Sequence, residues 1–461
     1  MQLSHAFPAR SAVFDDPNLV SCAGLVPALG LAQRAGLRAL ADRQLTVPGG
    51  AGHAAGLKVS ALVAGMVAGA DSIADMNLLR HGGIGRLFDG VRAPSTLGTF
   101  LRGFAFGHVR QLDAVASRFL TGLCAQTPLL PGAGKLTYVD VDDTVKATYG
   151  YAKQGTGYGY TGVKGLNAMI ATLSTPLAAP VIAATRLRKG SANSARGAAR
   201  LVADALATAA RAGAVGLVIL RADSAYYTHD VIAAAGRAGA RFSVTARKDR
   251  AVSSAIAGIS ETGWTTICYP QAVFDEQLGQ WISDAEVAET PFTAFTSRRQ
   301  SEHVGGRLIV RRVRDANPAH LQPDAQGELF PAWRYHAVFT DSPLPMLAAE
   351  ADHRRHAIIE QVISDLKNGP LAHLPSGRFA ANSAWLVLAA IAFNLTRATG
   401  CLASMFHAKA STATVRSQLI TVPARIARSA RQAVLHLPAA WAWASAWLQL
   451  FAAATGPPPP V

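Results

Sequence analysis

Two textures of apolar spacing divide the chain. In the first 130 residues apolar positions recur at helical intervals. Asp71 to Leu79 places Ile73, Met76, Leu78 and Leu79 on such a pattern, with Asp71 or Ser72 available as a cap. Gly82-Gly83 breaks it. Arg92 to Thr96 reads as a turn, and Ser95 or Thr96 can cap a helix running to about Phe106. Two short helices about a Gly-containing turn, with Arg102 and Arg110 on or after the second, have the layout of a helix-turn-helix, a layout many helical bundles share.

From Lys135 the period shortens. Leu136 to Asp142 alternates and is rich in β-formers. Tyr149 to Gly165 is punctuated by Gly and Tyr like a hairpin connection. Leu166 to Leu173 and Ala179 to Leu187 read as two further strands, and Ala195 to Arg211 as a helix. Leu217-Val218-Ile219-Leu220 is a continuous apolar run between Gly216 and Arg221, the mark of a buried parallel strand. A helix over His229 to Ala238 and a strand over Ala240 to Thr245 follow. Three strands, then helix, strand, helix, strand predicts an α/β class with a mixed sheet in the ribonuclease-H-like order. After Arg250 short strands at 265–269, 280–282, 307–313 and 333–340 predict a β-rich insertion. Helices then return over about Met346 to Asn368 and Phe379 to Ala398, and the remaining tail reads as basic and helical. The organisation expected is therefore a helical region at 1–130, the first part of the core at 131–250, the insertion at 251–342, completion of the core at 343–400, and the tail at 401–461.

Charge narrows the partners. Lys and Arg total 44 against 29 Asp and Glu, for a net charge of +15. Thirty-five of the basic residues are Arg, whose fork suits phosphates and guanine edges. Leu366 to Val461 holds eight Lys or Arg and no acid. Solvated faces normally mix signs, so this stretch reads as a polyanion-contact surface, and region 1–130 as its companion in holding DNA. Arg425, Arg428 and Arg431 would fall on neighbouring sides of one helix. Cys22, Cys124, Cys268 and Cys401 are too scattered for a zinc ribbon or redox pair, which points to a reducing cytoplasm. No secretory signal is legible at the start. Ser383 to Leu395 is too short to span a membrane, and Pro438 to Thr455 is Ala-rich and interrupted by polar residues. Trp441, Trp443 and Trp447 are expected to pack a terminal helix instead of resting on a membrane.

Three carboxylates fall where chemistry would need them. Asp142 ends the first strand, Asp223 follows the buried one, and Glu360 lies mid-helix. Alone, each Asp is more often a turn or cap residue, and Glu360 a solvated one. Together, two strand carboxyl ends and a packed helix can supply oxygen ligands for two Mg²⁺, the arrangement that serves phosphodiester chemistry. Asp140 points to the same side as Asp142 and is the alternative first ligand. His353, His356, Glu360 and Lys367 share one helical face, so His356 and Lys367 can bind DNA phosphate beside the metals. His353-x-x-His356 lacks the order and the partners of a zinc site. Gly132 to Thr137 echoes a phosphate-binding loop but lacks its first Gly and its Ser or Thr after Lys135, and it precedes a strand.

These blocks resemble DDE transposases of bacterial insertion sequences, most closely the family numbered thirteen-eighty, over most of the chain. The stretch YVDVDDTVKATYGYAKQGTGYGYTGVKG resembles the first-Asp block, LRKGSANSARG (187–197) the Arg-x-Gly-Asn segment, LVILRADSAYY (217–227) the second-Asp block, and HRRHAIIEQVISDLKNG (353–369) the Glu block. The 137 positions from Asp223 to Glu360 are similar to the β insertion of related cut-and-paste enzymes. Where the wider superfamily tends to carry Tyr and Arg ahead of the Glu, this chain has His353 and His356. The resemblance favours Asp142 over Asp140, because Asp142-Asp143-Thr144 matches the family's Asp-x-Thr ending. It implies catalytic Asp142, Asp223 and Glu360 holding two Mg²⁺, which Mn²⁺ can replace. It also implies cleavage of the element's inverted-repeat ends, joining of the 3′-hydroxyl to target DNA, and a homodimer on paired ends in the bacterial cytoplasm at the nucleoid. The rival readings are a decayed DNA-binding repressor and a related metal-dependent nuclease.

Overall fold

The computed structural model describes residues 11–150, 152–159, 161–275, 280–314, 333–429 and 432–456. The first region is helical, as its spacing predicts: α1 (Leu25–Arg34), α2 (Leu37–Gln44), α3 (Ala55–Ala68), α4 (Pro94–Arg102) and α5 (Phe106–Gln126). The helix-turn-helix expectation is not met. Ala74–Leu79 is a 3₁₀ turn, closed by reciprocal hydrogen bonds between Ser72 and Asp75, and a further short helix, Ile84–Leu87, stands between it and α4. The apolar side of α4, with Leu97, Phe100 and Leu101, is buried in the helical layer.

The sheet follows: β1 (Leu136–Ala147), β2 (Lys164–Thr175), β3 (Ala178–Lys189), α6 (Ala198–Arg211), β4 (Leu217–Ala222), α7 (His229–Arg237), β5 (Arg241–Thr245) and α8 (Arg250–Ala257). β1, β2 and β3 form an antiparallel meander, while β4 and β5 lie parallel to β1 on its other side. The order β3-β2-β1-β4-β5 is that of a mixed α/β sheet and is consistent with the ribonuclease-H-like plan. The β-rich stretch, β6 (Thr265–Asp275), β7 (Gln280–Ala294), β8 (Val304–Arg314) and β9 (Trp333–Thr340), does not stand apart. β9 pairs antiparallel with β5, and β8, β7 and β6 extend the same sheet outward.

The helix expected over Met346 to Asn368 is broken. α9 (Met346–Arg354) passes through a 3₁₀ turn at Arg355–Ala357 into α10 (Ile358–Lys367). The sheet supplies a cause at the break. The His353 ring lies buried between the Ser243 and Thr245 hydroxyls of β5, at 3.0 and 2.9 Å, and the Asp352 carbonyl accepts a hydrogen bond from Arg221. A carbonyl and a ring engaged with the sheet hold that turn out of a regular helix.

α11 (Phe379–Ala403) joins the two layers. It packs on β3, on α3 and on α5. At 25 residues it is, unlike the thirteen-residue stretch counted from sequence, long and apolar enough to cross a membrane by length and composition. It is instead buried within the protein on nearly every side. Asn394 of this helix receives the Ile182 N–H and donates to the Ile182 carbonyl, both at 2.8 Å, where a β-bulge interrupts the β2–β3 ladder.

The tail departs from the helical expectation. β10 (Ala424–Ser429) and β11 (Gln432–His436) form a hairpin, and Leu19–Val20 adds a short third strand beside β10. Arg425 and Arg428 therefore stand three apart on a strand and point to opposite faces, not to neighbouring sides of a helix. Arg425 pairs with Asp16 at 3.1 Å, and Arg431 lies outside the described residues. α12 (Ala444–Thr455) closes on α1 and α11. As expected, tryptophans anchor it: the indole N–H groups of Trp441 and Trp447 donate to the carbonyls of Gln418 and Leu419.

Candidate active site

Strand register brings the acids together. β1 and β4 are parallel with Asp140 opposite Arg221 and Val141 opposite Ala222. One step further, Asp142 reaches the side of Asp223, which follows β4 and accepts the Ala225 N–H at 3.0 Å. Both sit at the carboxyl end of β4, where open α/β sheets gather their active groups. α10 lies against β1 and presents Glu360 in its first turn.

The three acids also act on one another electrostatically. Burial pushes the Asp142 carboxyl up to about 7, and the charges of Asp223, Asp143 and Glu360 push the same way, against a hydrogen bond from the Asp143 N–H. Asp223 is also raised, first by desolvation and further by Asp143, with His356 pulling the other way. Asp223 and Glu360 are exposed and Asp142 half-buried, so the group is open on one side. Among the described residues no three His, Cys, Asp or Glu side chains stand close enough to hold a metal as they are. The carboxylates converge without closing on a point.

Asp140 is otherwise engaged. Both its oxygens receive the Arg221 guanidinium, Nε at 2.6 Å and Nη2 at 2.8 Å, with side chains 1% and 2% exposed. The third edge of that guanidinium donates to the Asp352 carbonyl at 2.6 Å, and its plane lies 3.8 Å from the Tyr138 ring centroid. The Tyr138 hydroxyl donates to the Asp352 carboxylate. This cluster was not found from sequence. An Arg at the end of the run LVILRA, where a buried strand should be apolar, was the available signal.

A second buried network underlies Asp142 on the opposite face of β1. Asp143 accepts from Arg188 and from Asn167, the latter at 3.0 Å. Arg188 also donates to the carbonyls of Asn193, Ser194 and Arg196, at 3.0, 2.8 and 2.9 Å. One guanidinium thus fixes the loop after β3 against the first-Asp strand.

The histidines divide. His353 is driven down to about 3, chiefly by burial, and is neutral at physiological pH. Both its ring nitrogens meet hydroxyls of β5, Ser243 and Thr245. His356 is half-buried and its Nδ1 meets the His353 carbonyl, which leaves Nε2 as the free ring nitrogen. Its charge is felt by both Asp140 and Asp223. Lys367 lies seven residues beyond Glu360, in the last turn of α10. Arg425 and Arg428 are on the tail hairpin, on a different sheet from the carboxylates.

The model of the family described as transposase DDE domain group 1 matches residues 10–455. The chain belongs to this family. No curated protein matches its sequence. The match spans the helical first region and the tail as well as the sheet.

Proposed function

We propose that this transposase uses Asp142, Asp223 and Glu360 to cut the inverted-repeat ends of a bacterial insertion sequence of the thirteen-eighty family. It then joins the freed 3′-hydroxyl to target DNA. The observation that carries the reading is the β1–β4 register, which sets Asp142 beside Asp223 with Glu360 above them. The donor set fits hard divalent cations. Three carboxylates that repel one another, one of them raised to about 7, are held together at a cost that cations would relieve. Asp142, Asp223 and Glu360 would hold two Mg²⁺, or Mn²⁺ in their place. Such ions supply charge neutralisation at the phosphate and an activated attacking oxygen.

The chain's own residues do the rest. Arg221 and Asp140 fix the two strand ends and the turn before α10, so all three acids share one frame. His356 Nε2 and Lys367 contact phosphate beside the acids. The first region, 1–130, and the basic tail, 401–461, hold DNA, with Arg425, Arg428 and Arg431 contributing from the tail. A homodimer on paired ends in the bacterial cytoplasm, at the nucleoid, follows from the family resemblance.

The test is cleavage, with Mg²⁺, of a duplex bearing the terminal repeat that borders this coding sequence, comparing wild type with Glu360→Gln. The expected result is nicking at the boundary by wild type, and binding without cutting by the variant. Binding by both with cutting by neither would leave a DNA-binding remnant and remove the catalytic assignments. A pre-cleaved end with a free 3′-hydroxyl separates transposase from nuclease, since only the former joins it to a second duplex.

A further inference from the structure

Two adjoining hollows flank the middle of α5, and arginines line both. One, a cavity of about 230 Å³ between α5, β3, α6 and α11, holds Arg110, Arg118, Arg186 and Arg211 beside Asp113 and Asp204. The other opens between α5 and α2 and sets Arg43 beside Arg110 and Arg118. Arg110, Ala114 and Arg118 are common to both, since residues four apart share one face of a helix. The three helices lie side by side, α2 on α5 and α5 on α6.

The charges there are not matched. Asp113 and Asp204 are taken up by the inner arginines: Arg110 meets them at 2.8 and 2.9 Å, and Arg186 meets Asp204 at 3.0 Å. The outer three have no carboxylate. Arg118 donates to the Gln44 side-chain oxygen and the Ala114 carbonyl, both at 3.3 Å, and Arg211 donates to the Ser117 hydroxyl at 2.6 Å. Arg43 has no hydrogen-bond or ion-pair partner among the described residues. All three are exposed. Five guanidiniums against two carboxylates leave an excess of positive charge that attracts anions.

Width decides the class of anion. Packed helices lie about 8–10 Å apart, so α2 and α6, on either side of α5, are roughly 16–20 Å apart. Arg43 and Arg211 therefore cannot meet on one phosphate. Duplex DNA, with a charge about every 1.7 Å along its axis, can engage all three. The face matters as well. Arg186 and Arg188 are two apart on β3 and point to one side of the sheet. Arg188 reaches Asp143, which points away from Asp142. Register sets Thr185, next to Arg186, two strands from Asp142, roughly 10 Å away. The arginine surface is thus level with the acids but behind the sheet, and a duplex seated at the acids leaves it empty.

We propose that Arg43, Arg118 and Arg211 form a second duplex-DNA surface, behind the sheet, that holds a segment other than the one being cut. The assignment rests on the reading of Asp142, Asp223 and Glu360 as the cutting site. Arg110 and Arg186 are positioning residues: their pairs with Asp113 and Asp204 lock α5 and α6 to β3, which spaces the outer three.

The experiment uses full-length wild type, a triple variant with Arg43→Gln, Arg118→Gln and Arg211→Gln, and a triple variant with Lys at the same positions. Affinity is read by fluorescence anisotropy across a series of KCl concentrations, on a duplex running from the terminal repeat into the element and on a duplex without the repeat. Each lost phosphate contact lowers the slope of log affinity against log salt by about 0.9, so the Gln variant should lose up to about 2.7. The Lys variant should keep the slope, because it keeps the charge. Ethylation interference on the first duplex maps the phosphates contacted, and those at the cut boundary should be the same in wild type and Gln variant. The melting temperature of the Gln variant should match wild type, since no carboxylate loses its partner. A fall in slope confined to the repeat-bearing duplex assigns the segment to the element, and a fall on the repeat-free duplex extends it to target DNA. An unchanged slope on both overturns the second surface, as does an absence of salt-dependent binding by wild type. Loss of the boundary contacts in the Gln variant also overturns it, because the arginines would then serve the cut segment. If wild type cuts and the slope is unchanged, only this surface falls. If wild type binds without cutting, the catalytic reading falls whatever the slope.

Discussion

Replacing Arg221 by Met should be among the most damaging single changes in the core. Asp140 is fully buried and held by two hydrogen bonds from this one guanidinium, at 2.6 and 2.8 Å. Burial already pushes the Asp140 carboxyl up, and Arg221 is the largest influence pulling it back. Removing one partner of such a pair costs about 3–5 kcal/mol, because the other charge stays buried without compensation. The Asp352 carbonyl loses its donor as well. Unfolding entropy of about 2.1 cal/mol/K per residue converts this to a fall of about 3–5 °C in melting temperature for 461 residues melting together. The paired change, Asp140→Leu with Arg221→Met, removes both charges and should recover most of the loss, to within about 2 kcal/mol of wild type. Circular dichroism melts of the three proteins at pH 7.5 read this directly. A single variant costing under about 1 kcal/mol, or a double variant as unstable as the single, would refute the claim that Asp140 is a structural partner of Arg221.

Other consequences are open to measurement. The Asp142 carboxyl is raised to about 7 from 3.8, so its contribution to stability is full below pH 4 and lost as pH climbs through 7. With chelator present, Asp142→Asn should therefore melt higher than wild type at pH 8, by about 2 kcal/mol after allowance for solvent at the open side, and equal it near pH 4. A destabilised Asn variant at pH 8 would show that the acids do not repel. His353 is lowered to about 3, so its neutral form stabilises the fold above pH 6.5, and that contribution is lost as pH falls from there toward 3. Its ring ¹⁵N shifts should stay constant from pH 8 to 4.5, and a midpoint near 6.5 would place the ring in solvent.

Much of the site was legible because it rests on local pattern. A strand carrying Asp-x-Asp-Asp-Thr, a buried run ending before Asp223, and a helix bearing Glu360 each declare themselves within a dozen residues, although the strand runs on to Ala147 and does not end at Asp142 as expected. What failed was information carried by distant partners. The tail reads as helix locally, but β10 pairs with β11 and with Leu19–Val20, some 400 residues away, and that ladder decides its form. The break at Arg355–Ala357 likewise depends on Arg221, Ser243 and Thr245.

The sequence alone determined the mixed α/β class and the basic balance and named the candidate acids, since period and charge are properties of short stretches and of composition. The strand pleat left Asp140 and Asp142 as alternatives, because both point to one side of the same strand, and the choice of Asp142 rested on the Asp-x-Thr resemblance. The tertiary structure gives the two different surroundings. The register of β1 against β4 gives Asp140 a buried cation and gives Asp142 other carboxylates, and no local pattern encodes which residue lies opposite which across eighty positions of chain.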